Sequence, residues 1–372
     1  PNPAPAPAPP PASQLGAESG LLKGGLLDLT VLFQSHHKAH RDAQVQAIRQ
    51  VHVSQAPPSL AAGEVRLDAA SMGVPLLGAV VAYGPLVACL QQAWTQAVAA
   101  APHRLTSFFG APVQAVEPSG SGARVAAAGL HEVDLAVVAE GGVFADQARK
   151  GVARDYRQTA WVGTVTLDGD ETGLAVERFT REGPLALLPL LAGADGRRRA
   201  ALVWCVNALD DPVAGLDAEQ RRHVIQSRLP PQAGRLLQVG PLKGFALGLN
   251  AERTLVDARG VGAGQGRIVR IGNAAQTLHP VAGQGLNLGL RDAYALVDAL
   301  RFAPDVGAAL RRVEWARAPD RWATIVTTDF LARGFTWGAF GLGLLRGAAL
   351  AALQSLPSLK AALARQMMFG LR

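Results

Sequence analysis

The most informative hydrophobic pattern lies in residues 267–300, where a strand, a glycine-rich loop and a helix are predicted in succession. Ile268, Val269 and Ile271 indicate the strand. The helix is predicted from apolar residues that recur every three or four positions, namely Leu286, Leu290, Ala293, Val297 and Leu300. A loop that enters a helix in this way directs free backbone N–H groups at an anion or an electron-rich ring. On spacing alone, a glycine-rich turn without a ligand stays open as the alternative.

Short β-like segments dominate the middle of the chain. Residues 47–67 are predicted to form two strands joined by a proline-containing turn. Four further strands are separated by turn-rich segments, which is typical of an antiparallel meander: 161–167, 174–179, 185–190 and 200–206. A strand at 244–249 is predicted to complete this sheet, and Trp161 and Trp204 are expected in its core.

Helices and one strand of a different kind are predicted around this β-rich part. Residues 86–100 are predicted to be helical, as are residues 217–229, which precede Pro230 and Pro231. Leu135–Ala139 is apolar on both faces, as a buried parallel strand would be. Parallel and antiparallel strands combined with helices predict a mixed α/β fold.

Composition narrows the classes of function. Of 372 residues, 49% are hydrophobic and 17% charged, so a large core can form and a wholly disordered chain is excluded. The net charge of +7 favours anionic partners. The densest basic run, residues 197–199, is expected to be a solvated loop. Aromatic residues make up only 5%, which argues against a base-stacking nucleic-acid partner. Cys89 and Cys205 favour neither a disulfide framework nor a cysteine zinc site, consistent with a cytoplasmic location.

The two ends of the chain carry weaker signals. Residues 1–20, rich in proline and alanine at their start, are expected to be a disordered tail without a secretory signal. His36, His37 and His40 are expected on a solvated helix face rather than around a metal ion, because no cysteine or carboxylate set accompanies them. The apolar segment 334–345 is too short to span a bilayer, but it is long enough for peripheral membrane contact or for packing.

A specific resemblance appears in the string from Ile271 to Asp292, IGNAAQTLHPVAGQGLNLGLRD. This string resembles the second flavin-binding motif of group A flavoprotein monooxygenases, and it is most similar to the ubiquinone-biosynthesis hydroxylase family within that group. Shorter stretches that also resemble the family are residues 48–54, 155–160, 177–189, 201–204 and 317–329. The resemblance covers roughly residues 46–372.

The resemblance implies a fold and an activity. An FAD- and NAD(P)-binding, Rossmann-like domain, incomplete at its N-terminus, is expected in three pieces: residues 21–45, 84–154 and 266–320. An antiparallel β-sheet substrate domain is expected in residues 46–83 and 155–265, followed by C-terminal helices in residues 321–372. The implied activity is hydroxylation of a prenylated phenol in ubiquinone biosynthesis, with FAD as cofactor and NAD(P)H as electron donor. The expected location is the cytoplasm, at the inner membrane face, with membership of a quinone-biosynthesis complex and no nucleic-acid partner.

The resemblance also implies the residues that would contact FAD. Gly272 and Asn273 would lie beside its ribityl chain and pyrophosphate. Glu140 and Gly141 stand where the family has an Asp-Gly pair. The residues expected to line the isoalloxazine are Pro280, Gly283, Gln284, Gly285, Leu286 and Asn287. No catalytic side chain and no metal ligand is expected, because the flavin itself carries the chemistry.

Three departures from the family pattern predict an impaired flavin site. Gly16, Gly20, Gly24 and Gly25 do not follow a strand with the G-x-G-x-x-G spacing that cradles the ADP part of FAD. Glu140 is one methylene longer than the family's aspartate. Residues 82–85 replace the arginine that the family places at the start of its first long helix. The departures leave two alternatives open: an incomplete copy of a hydroxylase, or a degenerate, catalytically inactive relative that acts as a structural or lipid-binding partner in a quinone-biosynthesis complex.

Overall fold

A large mixed sheet and several helices make up the structure. The computed structural model describes residues 45–57, 63–120, 122–142, 144, 147–257, 267–334 and 342–369. The strands are β1 (Val45–Ile48), β2 (Gln50–Gln55), β3 (Glu64–Asp68), β4 (Gly78–Val81), β5 (Ala115–Ser119), β6 (Gly122–Ala126), β7 (Leu130–Val133), β8 (Ala136–Val138), β9 (Val152–Leu167), β10 (Leu174–Phe179), β11 (Pro184–Leu190), β12 (Arg198–Asn207), β13 (Leu236–Val239), β14 (Lys243–Ala251), β15 (Ile268–Arg270) and β16 (Gln276–Thr277). The helices are α1 (Tyr83–Ala100), α2 (Ala218–Arg228), α3 (Gln284–Phe302), α4 (Val306–Gly334), α5 (Leu342–Gln354) and α6 (Pro357–Phe369).

Some sequence predictions fall outside the described residues. They concern the tail 1–20, the predicted domain piece 21–45 up to residue 44, and residues 335–341 of the apolar segment. The glycines and histidines named in these regions are Gly16, Gly20, Gly24, Gly25, His36, His37 and His40. None of the helices in the described part of the chain combines the length and the apolar character that crossing a membrane requires.

The nine-stranded sheet has the order β16-β14-β9-β12-β11-β10-β2-β3, with β13 also paired to β9. The predicted meander is therefore wrong at one point. Strand β10 does not pair with β9 but lies parallel to β2, and β9 pairs with β12 over residues 158–167. The reason is tertiary: pairing β9 with β12 aligns Trp161 with Trp204, and both contribute to one core. The strand at 244–249 does join the sheet, within β14.

One side of the sheet, which we call the closed face, packs against α2. This helix begins with a capping box, in which the Asp217 side chain accepts from the Gln220 backbone and the Gln220 side chain accepts from the Asp217 N–H. Ile225 of α2 belongs to the same buried cluster as the sheet. The buried closed-face side chains are Val165, Leu167, Val176, Leu185, Leu187, Leu202 and Trp204.

The prediction that the basic run 197–199 is a solvated loop is wrong at Arg198. This residue is 8% exposed and donates to the Ala233 carbonyl.

The other side of the sheet, which we call the open face, carries a row of half-buried side chains. Cross-strand pairing places them side by side on β2, β10, β11, β12 and β9. In that order they are Val53, Glu177, Ala186, Val203 and Val162. All five keep intermediate exposure. The two faces of this sheet are therefore packed very differently.

Strand β9 is interrupted close to this row by a bulge. Gln158 pairs with Leu247 of β14, whereas Gly248 pairs with Asp155. Tyr156 and Arg157 consequently have no paired residue on β14. Arg157 adopts a φ of 53°, in the left-handed region that side chains other than glycine, asparagine and aspartate rarely occupy. The bulge marks the point where β9 leaves the closed-face core.

A second region contains the parallel strands and the helices that follow them. Strands β8 and β15 form a parallel pair, which confirms the predicted parallel strand at 135–139. Its predicted burial on both faces is wrong at Val137, which is 44% exposed. Helices α3 and α4 pack together and bury Leu296 and Leu310 in one cluster with Val269 of β15. The domain boundaries given above stay a prediction.

Candidate cofactor-binding site

The loop after β15 begins with a turn that lies directly against α3. Gly272 has a φ of 57°, which favours glycine. A Cβ on Gly289 of α3 would lie 3.2 Å from the Cα of Gly272. The backbones of the turn and the helix therefore meet without a side chain between them.

A buried network of charged and polar groups holds this turn. The Asp292 carboxylate is fully buried and accepts from the Gly272 N–H at 3.3 Å, from Gln276 Nε2 at 2.8 Å and from Arg317 Nε at 2.9 Å. Arg317 also donates to Asp320 at 2.8 Å, and Arg321 donates to Gln276 Oε1 at 2.6 Å. A buried carboxylate is tolerated only when charge and hydrogen bonds compensate for lost water. The network therefore fixes the turn to α3 and α4.

Sequence reasoning gave Asp292 no role, although a signal was present. The buried residues of α3 are Leu288, Asp292, Leu296 and Ala299, and Asp292 occupies a position on the apolar stripe. A charged residue on such a stripe requires a buried partner. Arg317, which supplies that partner, lies on the next helix.

The segments around residues 140 and 273 meet. Asn273 Nδ2 donates to the Gly142 carbonyl at 3.3 Å. Lys150 Nζ donates to the Asn273 carbonyl at 3.2 Å and to Gln147 Oε1 at 3.0 Å. Burial lowers the pKa of Lys150, and the carboxylates of Glu252 and Glu140 oppose that shift. Glu140 and Gly141 are exposed beside this contact. The structure thus brings Gly272, Asn273 and the Glu140–Gly141 pair to one side of the loop.

His279 connects the loop to the large sheet. Its Nδ1 accepts from the Val281 N–H at 3.1 Å, so Nε2 carries the hydrogen and donates to Gln158 Oε1 at 2.9 Å. The Tyr156 ring meets the imidazole edge to face, with centroids 5.4 Å apart. Burial lowers the pKa of His279 to about 4. The imidazole is therefore neutral near pH 7 and positions the loop on β9.

The next part of the loop presents backbone to open space. Gly283 has a φ of 61°, and its N–H donates to the Pro280 carbonyl at 2.9 Å. No side chain caps the N-terminus of α3. A Cβ at Gly283 or Gly285 would meet no described atom within 4 Å. Leu286 is 53% exposed, and Asn287 Oδ1 is buried without a hydrogen-bond partner among the described residues.

These features fit a planar, electron-rich ring that carries negative charge. Glycines without Cβ atoms allow close approach of a ring, and the free N–H groups of a helix start stabilise negative charge. Leu286 offers an apolar surface, and Asn287 Oδ1 needs a donor. The structure collects Pro280, Gly283, Gln284, Gly285, Leu286 and Asn287 on one loop and helix start. Their contact with flavin stays a prediction.

A cavity of about 590 Å³ opens beside the bulge in β9. Tyr156 and Gln158, which both contact His279, line it together with Arg157, Arg181 and Arg228. Arg228 is paired with Glu182 at 2.8 Å. The cavity therefore reaches the same side chains that connect the loop to the sheet.

Comparison with solved structures defines the class of fold. The chain is similar to Klebsiella pneumoniae HpxO complexed with FAD and uric acid, with a TM-score of 0.60 at 16% identity over 92% of this chain and 86% of that one. It is equally similar to PqsL, a probable FAD-dependent monooxygenase from Pseudomonas aeruginosa, with a TM-score of 0.60 at 19% identity over 87% and 88%. The fold is therefore that of FAD-dependent monooxygenases, which confirms the predicted α/β class with Rossmann-like and antiparallel-sheet regions.

Sequence comparison narrows that class. Residues 262–304 match the model of an FAD binding domain family. The chain is 34% identical to the ubiquinone hydroxylase UbiL of Rhodospirillum rubrum over 224 residues, which are 58% of this chain and 49% of UbiL. It is 28% identical to the 3-demethoxyubiquinol 3-hydroxylase of Escherichia coli, over 80% of this chain and 74% of that protein. The resemblance to FAD-dependent ubiquinone-biosynthesis hydroxylases is thereby confirmed. The chain spans about half the length of UbiL.

Proposed function

We propose that this chain acts as an FAD-dependent hydroxylase of a prenylated phenol in ubiquinone biosynthesis. The observation that carries the proposal is the loop 280–287, which combines open space at two glycines, an uncapped helix start and an unpartnered Asn287 Oδ1. The similarity to UbiL and to the Escherichia coli 3-demethoxyubiquinol 3-hydroxylase supports the substrate class. We further propose NAD(P)H as electron donor, peripheral membrane contact through residues 334–345 and membership of a quinone-biosynthesis complex.

Each part of the loop has a task in this proposal. FAD, when bound and reduced, activates dioxygen for insertion into an aromatic ring. The N–H groups of residues 285–287 would stabilise negative charge on the reduced ring, because they lie at the positive end of α3. Neutral His279 fixes the loop relative to β9 through Gln158. The Asp292 network fixes the preceding turn, where Gly272 and Asn273 would hold the ribityl and pyrophosphate groups.

A substitution of Gly285 tests the proposal directly. Because a Cβ there meets no described atom within 4 Å, Gly285→Val should leave the fold intact while its side chain occupies the space proposed for the ring. Gly215→Val is the matched control, since Gly215 also faces open space but precedes α2 on the closed side. Wild type and the Gly215 variant should retain the visible absorbance of oxidised flavin after incubation with FAD and desalting. The Gly285 variant should lose it.

A failure of the wild-type chain to bind FAD would favour the non-catalytic relative over the hydroxylase. A wild-type chain that remains colourless after excess FAD is removed contradicts the hydroxylase, because the chemistry belongs to the cofactor. Such a chain would match the impaired, non-catalytic relative described above. Unchanged FAD affinity in the Gly285 variant would instead show that the loop is not the flavin contact.

A further inference from the structure

Glu177 lies in the middle of the open face. Its partners across the sheet are Val53 on β2 and Ala186 on β11, and Val203 follows on β12. Among the described residues, no donor or cation contacts its carboxylate, and burial alone raises its pKa. Glu177 is thus the acid in an otherwise apolar row.

The surroundings of this acid are unusual for a carboxyl group. Many protein atoms surround the Glu177 carboxyl group, yet its side chain keeps accessible surface. Burial raises the pKa of Glu177 to about 8. The neighbouring thiol of Cys205 is itself buried, and its pKa is raised by burial and by Glu177. Arg178, the next residue along β10, donates to Ser54 Oγ at 3.1 Å and points to the other side.

A purely structural role does not explain the acid. It caps no helix, forms no ion pair in the described part of the chain and destabilises the fold relative to an apolar side chain, because an unpaired carboxyl loses its hydration. An unpaired acid in an apolar row that keeps accessible surface is typical of a group that a ligand satisfies. The five strands of the open face span roughly 19 Å at normal strand spacing, enough for an extended apolar ligand.

We propose that Glu177 forms a hydrogen bond with the hydroxyl group of an aromatic, largely apolar ligand that lies on the open face. This inference rests on the proposed function, since a prenylated phenol has both features. The aliphatic side chains of Val53, Ala186, Val203 and Val162 contact the hydrocarbon part. Glu177 selects ligands that carry a free hydroxyl, because an apolar ligand without one leaves the carboxyl unsatisfied.

The experiment compares a phenol with its methyl ether, in which a methyl group replaces the hydroxyl hydrogen. The probes are 2-geranylphenol and its methyl ether, titrated calorimetrically into the full chain in the presence of FAD. At pH 9, where the Glu177 carboxylate is ionised and only accepts hydrogen bonds, wild type should bind the phenol about tenfold more tightly than the ether, the preference expected for one buried hydrogen bond. Glu177→Leu should bind both probes with similar affinity. Glu177→Gln should recover part of the preference.

A control variant and the possible outcomes distinguish a failure of the proposed role of Glu177 from a failure of the proposed substrate class. Glu117→Leu, at an exposed position of β5, should retain the wild-type preference. A wild type that binds phenol and ether equally, or a Leu variant that keeps the preference, would overturn the role of Glu177 while leaving the substrate class intact. A wild type that binds neither probe would contradict the proposed substrate and this inference together. Thermal melting of each variant, expected at or above the wild-type temperature for Glu177→Leu, shows that the protein is folded.

Discussion

The two faces of the large sheet both consist mainly of apolar side chains, but these side chains are packed to very different extents. The closed face buries Trp204, Leu202 and Leu185 completely against α2 and contributes to the stability of the fold. The open face carries smaller aliphatic side chains at intermediate exposure, with an unpaired acid among them. Strand alternation alone generates both faces from the same strands. The difference shows that packing, rather than hydrophobicity, separates the core of this sheet from its candidate binding surface.

The largest effect should come from the closed face. Trp204→Ala removes a fully buried indole and should destabilise the protein by about 3–5 kcal/mol, because the surrounding β-sheet and α2 cannot collapse into the space. Urea unfolding measures the change. Trp204→Phe is the control and should cost much less, since Trp204 Nε1 has no hydrogen-bond partner among the described residues to lose. A similar loss in both variants would argue against tight packing on this face.

A substitution of Glu177 on the open face should stabilise the protein, in contrast to the substitution of Trp204 on the closed face. Glu177→Leu should stabilise the protein by about 1–3 kcal/mol above pH 8, because it removes an unpaired buried carboxylate. Its pKa is raised from 4.5 to about 8, so wild-type stability should fall as pH rises through this window. Urea unfolding at several pH values measures this slope, which should be smaller in the variant. Equal slopes in both proteins would show that Glu177 is solvated.

His279 tests the connection between the open side of the sheet and the loop. Its pKa is lowered from 6.5 to about 4, so the unfolded chain binds a proton that the folded chain does not across that range. Wild-type stability should therefore decrease as pH falls from 6.5 to 4. His279→Gln should reduce this dependence and cost about 1–2 kcal/mol at pH 7 through lost hydrogen bonds. His103→Gln, at an exposed position after α1, should leave the dependence unchanged.

The smallest effect on stability should come from Val203. Val203→Ala removes half-buried methyl groups from the open face and should cost less than about 1 kcal/mol. The same substitution should weaken calorimetric binding of 2-geranylphenol several-fold, because the ligand would cover this side chain. A large loss of stability, or unchanged binding, would remove the distinction between the two faces.

Local patterns predicted much of the fold. The strand, loop and helix at 267–302 follow one another in the chain, and their periodicities are legible without tertiary information. The helix at 217–229 is defined by the Asp217 cap and the prolines that follow it. The positions of the candidate loop residues 280–287 could also be predicted from local sequence, because these residues lie within one continuous string.

Long-range contacts could not be predicted in this way. Nothing local to β9 indicates that its partner is β12 rather than β10. The Asp292–Arg317 pair and the Gln158–His279 contact join residues that are 25 and 121 positions apart. Glu177 lies inside a string used to support the family resemblance, but its isolation becomes visible only when cross-strand neighbours are known. Site residues that act through tertiary contacts were the ones that sequence reasoning missed.

The bulge at Tyr156 and Arg157 lets one strand, β9, contribute to two different regions of the molecule. Tyr156 lies in the bulge and Gln158 follows it, and both contact His279, whereas Val165 and Leu167 lie farther along the same strand in the closed-face core. Residues 152–155 and 158–162 of β9 are both paired with β14, so the two unpaired residues between them change the direction of side chains while pairing continues on either side. One strand therefore serves two regions: its bulge lines the arginine-rich cavity and contacts the histidine loop, while its far end belongs to the tryptophan core.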